Sequence, residues 1–434
     1  MYENIKIPEN IDEYITKGLK RGRTKKTYTR VKRLTGIFIC ALLSIFIVGI
    51  RVSPVFASSV AKIPGLNYVV ELVRQDKGLT AAIENEYIQH IGKSVESEGI
   101  LFTVKDIISD DSGIIVFYSL ENKKGYIRPH IRSVKLTDPH GKELKLSGSH
   151  GYTPGKESIY EDKIEFYTNE NQAAFPDRVV LKIQIECDGE NQDSTPIEGT
   201  WEIPFTIDKT KLSGTGKMHS IDQTIEVEEQ RIRFESLRIF PIKSILTVSM
   251  DKSNTKKLFA FDDLKLVDEK GEEWGRIING FSGSNPGEDT QTLNFQSNYF
   301  TRPKELYIIG SSIRALDKDK CYFTLDTGKR EIISPYNLLS LKELMINRDN
   351  IKLNIDITKP IEDVHNSYEI SGEVTDGEGK KLEIAQQGMG SSDTTSFMTY
   401  NILKGADFKE PLIFKICDYP SRIKGNFKIK IPLE

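Results

Sequence analysis

With 434 residues the chain has room for two to four domains with cores of their own, and its four cysteines are too few for a disulfide framework to replace those cores. The net charge of −3 excludes a uniformly basic nucleic-acid binder but conceals an asymmetry. Residues 1–33 carry ten Lys or Arg against four Asp or Glu, a net +6, which leaves −9 for everything after them.

The chain opens with this basic leader. In IKIPENIDEYITKGLKRG, Ile11, Tyr14, Ile15 and Leu19 fall at i, i+3, i+4 and i+8, one face of a helix whose first turn Pro8 suits. So short a segment has no domain on which to bury the stripe. It rests on a membrane surface, docks helix-in-groove on a partner, or stays disordered. Residues 17–33 hold nine basic side chains, no acidic one and a single aromatic, Tyr28. Attraction to anionic lipid fits this run better than nucleic acid, and no nucleic-acid partner is expected.

Residues 34–50, LTGIFICALLSIFIVGI, are uncharged and bracketed by Arg33 and Arg51. As a helix the run rises about 25 Å, near the lower limit for crossing a bilayer, and the two arginines extend it by snorkelling. A buried core helix is the alternative, but the stretch is apolar all round. With the positive charge in front, the leader stays in the cytoplasm and the rest of the chain lies outside. The stretch SPVFA, with Val55 and Ala57, offers a competing signal-peptide cleavage site; the long leader, the long apolar run and Arg51 favour a retained anchor. Both readings export the same C-terminal part.

Residues 54–96 read as a juxtamembrane helical segment. Leu66, Val69, Val70 and Val73, then Leu79, Ala82, Ile83, Tyr87 and Ile91, form amphipathic stripes interrupted by Pro64 and Gly78. Two short helices are expected to pack against the first exported domain.

From about residue 99 the period becomes two. Ile100, Phe102 and Val104 alternate with polar neighbours, as do Ile114, Val116, Tyr118 and Leu120, the mark of strands with one buried and one solvated face. A repeat then becomes visible in LTDPHGKEL, LVDEKGEEW and VTDGEGKKL. Asp138, Asp268 and Asp376 suit the first position of a type I turn, and Gly141, Gly271 and Gly379 the left-handed residue that closes a bulged hairpin. Each turn is followed by a Gly/Ser/Asn-rich loop and two strands: KIEFYT and RVVLKIQI, TLNFQS and ELYIIG, SFMTYN and PLIFKI. Each unit then closes on a further alternating run, expected at Trp201, Ile203 and Phe205, at Tyr322, Phe323 and Leu325, and at Phe427, Ile429 and Ile431. Residues 335–347 read as a linker ending in a short helix.

The fold class expected is mainly β: one N-terminal transmembrane helix followed by three tandem immunoglobulin-like β-sandwich domains, over residues 97–212, 218–334 and 348–434. One cysteine falls in the apolar run and one is assigned to each repeat: Cys187, Cys321 and Cys417, read as buried small hydrophobes.

Catalytic and metal motifs are missing. No Walker motif, nucleotide-binding glycine loop, HExxH, CxxC or GxSxG occurs. His130, His140 and His150 are evenly spaced but fall on strand ends and turns, where exposed polar residues explain them without a metal. The acidic turns lack the alternating carboxylates of a calcium loop. The pairs Asp110/Asp111 and Asp262/Asp263 carry no catalytic mark. No enzymatic activity, cofactor or metal is expected.

Four pieces of the chain resemble a family of single-pass membrane proteins of Gram-positive bacteria with an extracytoplasmic domain of unknown function. They are the leader IPENIDEYITKGLKRG, the basic run with its apolar span, the segment IPGLNYVVELVRQDKGLTAAIENEYIQ, and the first β-domain ending WEIPFTI. Genes of that family often lie beside those of extracytoplasmic-function sigma factors. The resemblance implies an anti-sigma factor or envelope sensor whose leader, through Ile11, Tyr14, Ile15 and Leu19, holds a sigma factor, while the exported domains meet an unknown envelope ligand. The leader has neither His nor Cys, so a zinc-binding anti-sigma motif is absent. The alternative is a cell-surface binding or spacer protein with a passive leader. Either way the lipid bilayer is a partner and the cell membrane the location.

Overall fold

The structure is a computed structural model that describes residues 67–434, except residues 74, 152–157, 169–175, 190–193, 211, 213–215, 276–282, 288, 361–362, 364–367, 404–407 and 434. The leader with Ile11, Tyr14, Ile15 and Leu19, the apolar run 34–50 and the cleavage site at Ala57 lie outside the described residues. Among those described, no helix is long and apolar enough to cross a membrane. Leu72–Glu434 forms one compact unit, and it is mainly β.

Two short helices come first, α1 (Asn67–Val73) and α2 (Lys77–Glu84). Asp76 caps α2: its Oδ1 accepts the backbone N–H groups of Gly78 (2.9 Å) and Leu79 (3.0 Å), two of the donors a helix start leaves open. Leu79, Ala82 and Ile83 are buried along one face. The helix stops at Asn85, and Glu86 takes a left-handed φ of 58°. Helical structure therefore ends well before residue 96. Ile91, expected on a helical stripe, lies instead in strand β1 (Gln89–Ser97), because the left-handed residue breaks the helix and the following residues find a strand partner.

The first sandwich continues with β2 (Ile100–Asp110), β3 (Gly113–Asn122), β4 (His130–Thr137), β5 (Leu146–His150), β6 (Ile159–Thr168), β7 (Arg178–Asp188), β8 (Ser194–Pro196) and β9 (Trp201–Thr206). One sheet runs β1-β2-β3-β6-β5; the other runs β4-β7-β8, with β9 also on β7. Ile100, Phe102 and Val104 are fully buried, as are Leu181, Ile203 and Phe205 of the other sheet. Trp201 joins the layers by donating Nε1–H to the carbonyl of Ile100 (3.1 Å). In β3 the expected alternation fails, since Ile115 and Phe117 are as buried as Ile114 and Val116. The outer face of this sheet is covered as well.

The second sandwich begins with β10 (Lys217–Val227), β11 (Gln230–Ile239), β12 (Lys243–Met250), β13 (Lys256–Phe261), β14 (Lys265–Asp268), β15 (Glu273–Trp274), β16 (Gly283–Gly287), β17 (Thr290–Gln296) and β18 (Leu306–Asp317). The chain then crosses to the third with β19 (Tyr322–Asp326), β20 (Glu331–Ile333), β21 (Leu339–Ile346), β22 (Asn350–Thr358), β23 (Glu373–Thr375), β24 (Ile384–Ser391), β25 (Thr395–Leu403) and β26 (Leu412–Lys415), and returns as β27 (Arg422–Ile431). One sheet of the second sandwich runs β10-β11-β12-β17-β16 and repeats the order of the first. Opposite it, β13, β14 and β27 all pair with β18. The third sandwich pairs the sheet β20-β19-β26-β23 with the sheet β21-β22-β25-β24, which has one strand fewer than its counterparts.

The closing strands are therefore exchanged. In the first sandwich β9 closes its own domain on β7. The run Phe427, Ile429, Ile431, expected to close the third repeat, lies on β18 instead, with Leu306 opposite Ile431 and Arg314 opposite Arg422. Ile423, Ile429 and Ile431 join the buried cluster of Phe234, Phe261 and Trp274. The run Tyr322, Phe323, Leu325, expected to close the second, pairs with β26 and packs Phe323 and Leu325 beside Phe414 and Tyr400 in the third core. The third sandwich is thus inserted between two strands of the second.

Two smaller expectations change with it. Residues 339–346, expected as a short helix, form β21, because Leu and Met there pair along β22 and cross-strand pairing overrides helix propensity. Cys321 and Cys417 both flank strands of the third sandwich, so there is not one cysteine per repeat, and Cys187, Cys321 and Cys417 are free thiols at partly or fully exposed positions rather than buried ones.

The triplicated turn has one geometry three times. Gly141, Gly271 and Gly379 have φ of 85°, 79° and 82°. In each, the glycine N–H donates to the carbonyl of the Asp three residues before (3.0, 3.1 and 2.9 Å). That Asp carboxylate accepts two further backbone N–H groups: His140 and Lys142, Lys270 and Glu272, Glu378 and Lys380. The carboxylates of these acidic turns are engaged by their own backbone.

Candidate functional site

Two clusters of buried charge among the described residues lie at joints between sandwiches. At the first, α2 meets the first and second sandwiches. Register puts Ile108, Ile115 and Phe117 on the outer face of the β1-β2-β3-β6-β5 sheet, together with Asp110, Lys163, Glu165 and Tyr167. Tyr87, just after α2, donates its hydroxyl to the carbonyl of Ser109 (2.8 Å). Asp76 at the head of α2 feels the charges of Lys163 and Glu165.

The second sandwich closes this joint from the other side. Asp110 Oδ2 accepts the backbone N–H of Ile242 (2.7 Å), in the turn between β11 and β12, while its Oδ1 accepts both N–H (2.7 Å) and Oγ–H (2.6 Å) of Ser112. Lys243, 2% exposed, sets its ammonium over the Tyr167 ring at 4.0 Å. The helix is held as closely. A Cβ on Gly78 would come within 2.5 Å of Ser297 N, so only glycine lets α2 approach the end of β17. Gln296 donates to the carbonyl of Gln75 (2.9 Å), Lys77 to Glu272 Oε1 (3.2 Å) and to the carbonyl of Glu273 (3.0 Å), and the Tyr87 and Phe300 rings are 5.6 Å apart.

Burial sets the electrostatics. Loss of water pushes the carboxyls of Asp76 and Asp110 up to about 6, against the pull of their hydrogen bonds and of Lys163 and Lys243 respectively. The Tyr167 hydroxyl is pushed well up by burial and by the nearby Glu165. The joint brings the buried carboxyls of Asp76 and Asp110 together with Lys163 and Lys243 where three elements meet.

At the second joint, Arg314 on β18 and Arg422 on β27, opposite each other in register, face three aspartates. Arg422 binds Asp262 of the second sandwich and Asp363 of the third, and donates to the Tyr368 hydroxyl (3.2 Å). Arg314 pairs with Asp262 (3.3 Å) and Asp418 (3.1 Å), its guanidinium 5.2 Å from the Tyr368 ring. Burial pushes Asp418 up to about 7, with Arg314 opposing. Removing one member of such a network strands an opposite charge, at a cost of about 3–5 kcal/mol.

Of the residues singled out in the sequence, Asp110 and Asp262 prove to be joint residues, and Asp263 is taken up by Ser311 and Ser312. His140 is exposed, but His130 is buried and not an exposed polar residue: its Nε2 meets Glu186 (3.0 Å) and its Nδ1 the carbonyl of Arg128 (3.1 Å). Among the described residues no group of three His, Cys, Asp or Glu is arranged to hold a metal. Asp76, Glu165, Lys243, Arg314, Arg422 and Asp418 carried no sequence signal.

Comparison with known proteins assigns two regions. Residues 27–122 match a domain of unknown function, DUF4179, and residues 216–338 match a family of unknown function, DUF5643. The first runs from the basic leader to the end of β3; the second runs from the start of the second sandwich across into the third. No curated protein matches the chain. Among solved structures, the crystal structure of the conserved domain protein from Bacillus anthracis is similar at 19% identity and a TM-score of 0.41, over 60% of this chain and 90% of that one.

Proposed function

We propose that the chain is a single-pass membrane protein with its leader in the cytoplasm, residues 34–50 in the bilayer and three immunoglobulin-like sandwiches outside, and that it acts as an anti-sigma factor. Ile11, Tyr14, Ile15 and Leu19 hold an extracytoplasmic-function sigma factor at the membrane while the exported part senses the envelope. One observation carries this reading. α2, which follows the apolar run by a short stretch of sequence, is clamped by both the first and the second sandwich, so a change in their relative tilt is felt at that helix. The DUF4179 match supports it, because one domain unit takes in the basic run, the apolar span and the first three strands.

The test is co-purification. Full-length chain extracted from cells is expected to bring a sigma factor with it, and Tyr14→Ala with Leu19→Ala to weaken that association by about 2–4 kcal/mol if both side chains are central anchors. Equal retention by the double variant removes these residues from the reading. A full-length chain that captures no sigma factor favours the surface binding or spacer protein instead, a reading supported by the buried charges that fix the second and third sandwiches together.

A further inference from the structure

The joint between α2 and the first two sandwiches holds more acid than base. Asp110, Glu165 and Lys243 are 5%, 4% and 2% exposed, and Asp76 and Lys163 complete the group. Lys163 binds Glu165 and lies within electrostatic reach of Asp76. Lys243 is within reach of Asp110 and rests on the Tyr167 ring, whose hydroxyl donates to Glu165 (3.2 Å). At the rim Lys77 pairs with Glu272, and further along the same sheet face Asp106, beside Phe117 in register, meets His90 (3.1 Å). With Asp76, Asp110 and Glu165 all ionised, three carboxylates face the two ammonium groups of Lys163 and Lys243 where little water reaches. One proton on a carboxyl restores the balance.

Two of the carboxyls are placed to take that proton. Both cap bonds of Asp76 fall on Oδ1, so Oδ2 accepts a proton without giving up the helix start. Asp110 Oδ1 faces the Ser112 hydroxyl (2.6 Å), which donates to the carboxylate and turns to accept once that oxygen is protonated. Burial favours the protonated form of each, up to about 6. Glu165, by contrast, has Lys163 as a direct partner.

The joint is also able to part while the sandwiches stay folded. The second sandwich reaches it through Ile242, Lys243 and the end of β17, while its core rests on other residues, Phe234, Phe261 and Trp274 among them. Parting the joint wets the carboxyls without dismantling that core. We propose that this joint is a proton-operated latch, held shut when Asp76 and Asp110 carry protons and loosened when they ionise. Once the joint parts, both carboxyls return toward their ordinary value of 3.8, so the shut form takes up protons and acid tightens it. Closure is strongest below about pH 4, weakens through about pH 6 and levels off at neutral pH. The latch is independent of the leader's partner, since a chain that holds no sigma factor keeps this joint.

The test is hydrogen exchange of the full-length chain, read by mass spectrometry with fragmentation between about pH 4 and about pH 7 and divided by the intrinsic rate at each pH. The amides of Leu79 and Ile242, which donate to Asp76 and Asp110, report the joint, and those of β22 report the third sandwich. Protection at the joint is expected to be about a hundredfold or more greater at the acid end than at the neutral end, with β22 unchanged. Asp76→Asn keeps the cap and mimics the protonated acid, and is expected to shrink that ratio about tenfold or more. Asp76→Asn with Asp110→Asn should flatten it. Equal capping strength keeps the single variant folded, so it decides the matter even where the double variant does not fold. Three results would overturn the proposal: joint protection that does not change with pH, a parallel change in β22, which makes the effect global, or a ratio that Asp76→Asn leaves whole.

Discussion

Gly271 isolates a backbone effect. A Cβ there would meet nothing within 4 Å, so a larger residue is penalised only by the φ of 79°. Gly271→Val is expected to destabilise the second sandwich by about 1 kcal/mol or more, because a β-branched side chain resists that conformation. An unchanged melting temperature would remove the strain argument from all three turns. Asp110 poses the opposite case, in which surroundings decide. Burial lifts its carboxyl from 3.8 to about 6, so the folded protein binds this proton more tightly than the unfolded chain does. Its stabilising contribution is complete below the unfolded value and is lost as pH rises through the folded one. Relative to Asp110→Asn, the parent should therefore gain on the order of 2 kcal/mol between about pH 8 and about pH 4. Denaturant titrations at a series of pH values measure this gap, and a gap that does not move with pH means the carboxyl keeps its ordinary affinity.

Among the elements, β27 carries the clearest consequence. It adds Ile423, Ile429 and Ile431 to the second core, at about 1.5–3 kcal/mol for each buried side chain, and the third core has no member beyond Tyr419. Deleting residues 423–434, which keeps Arg422 on Asp363, should therefore unfold the second sandwich and spare the third. Limited proteolysis followed by mass spectrometry would find cuts within residues 217–317 and protection over 339–415. The reverse pattern is what three tandem domains predict. This element also marks how far the sequence could be read. The turns were legible because their hydrogen bonds run between an Asp and backbone groups within four residues of it, and the strands because their alternation is local. Which sheet a closing strand joins is not local: Phe323 and Leu325 alternate much as Ile429 and Ile431 do, and nothing in either run names its partner. The joints were hidden for the same reason. Asp110 meets Ile242, and Arg422 meets Asp262, across more than a hundred residues.

For the molecule as a whole, the orientation proposed from the basic leader has a direct check. Protease added to intact cells should remove the sandwiches and leave the leader protected, whereas mature protein beginning at Ser58 in the medium would establish cleavage. The nesting of the third sandwich inside the second carries a further consequence, for the order of assembly. A chain made from its N-terminus completes the first sandwich once β9 has appeared, but the second must wait for β27, which follows the whole third sandwich. Until then the edge of β18 that β27 will cover has no strand along it, and an open edge invites pairing with another chain. The third sandwich, whose core is complete once Tyr419 has been made, is therefore able to fold before the second and bring its two ends together. The second sandwich is the last of the three to close, and the period before it closes is when this protein is most exposed to misassembly.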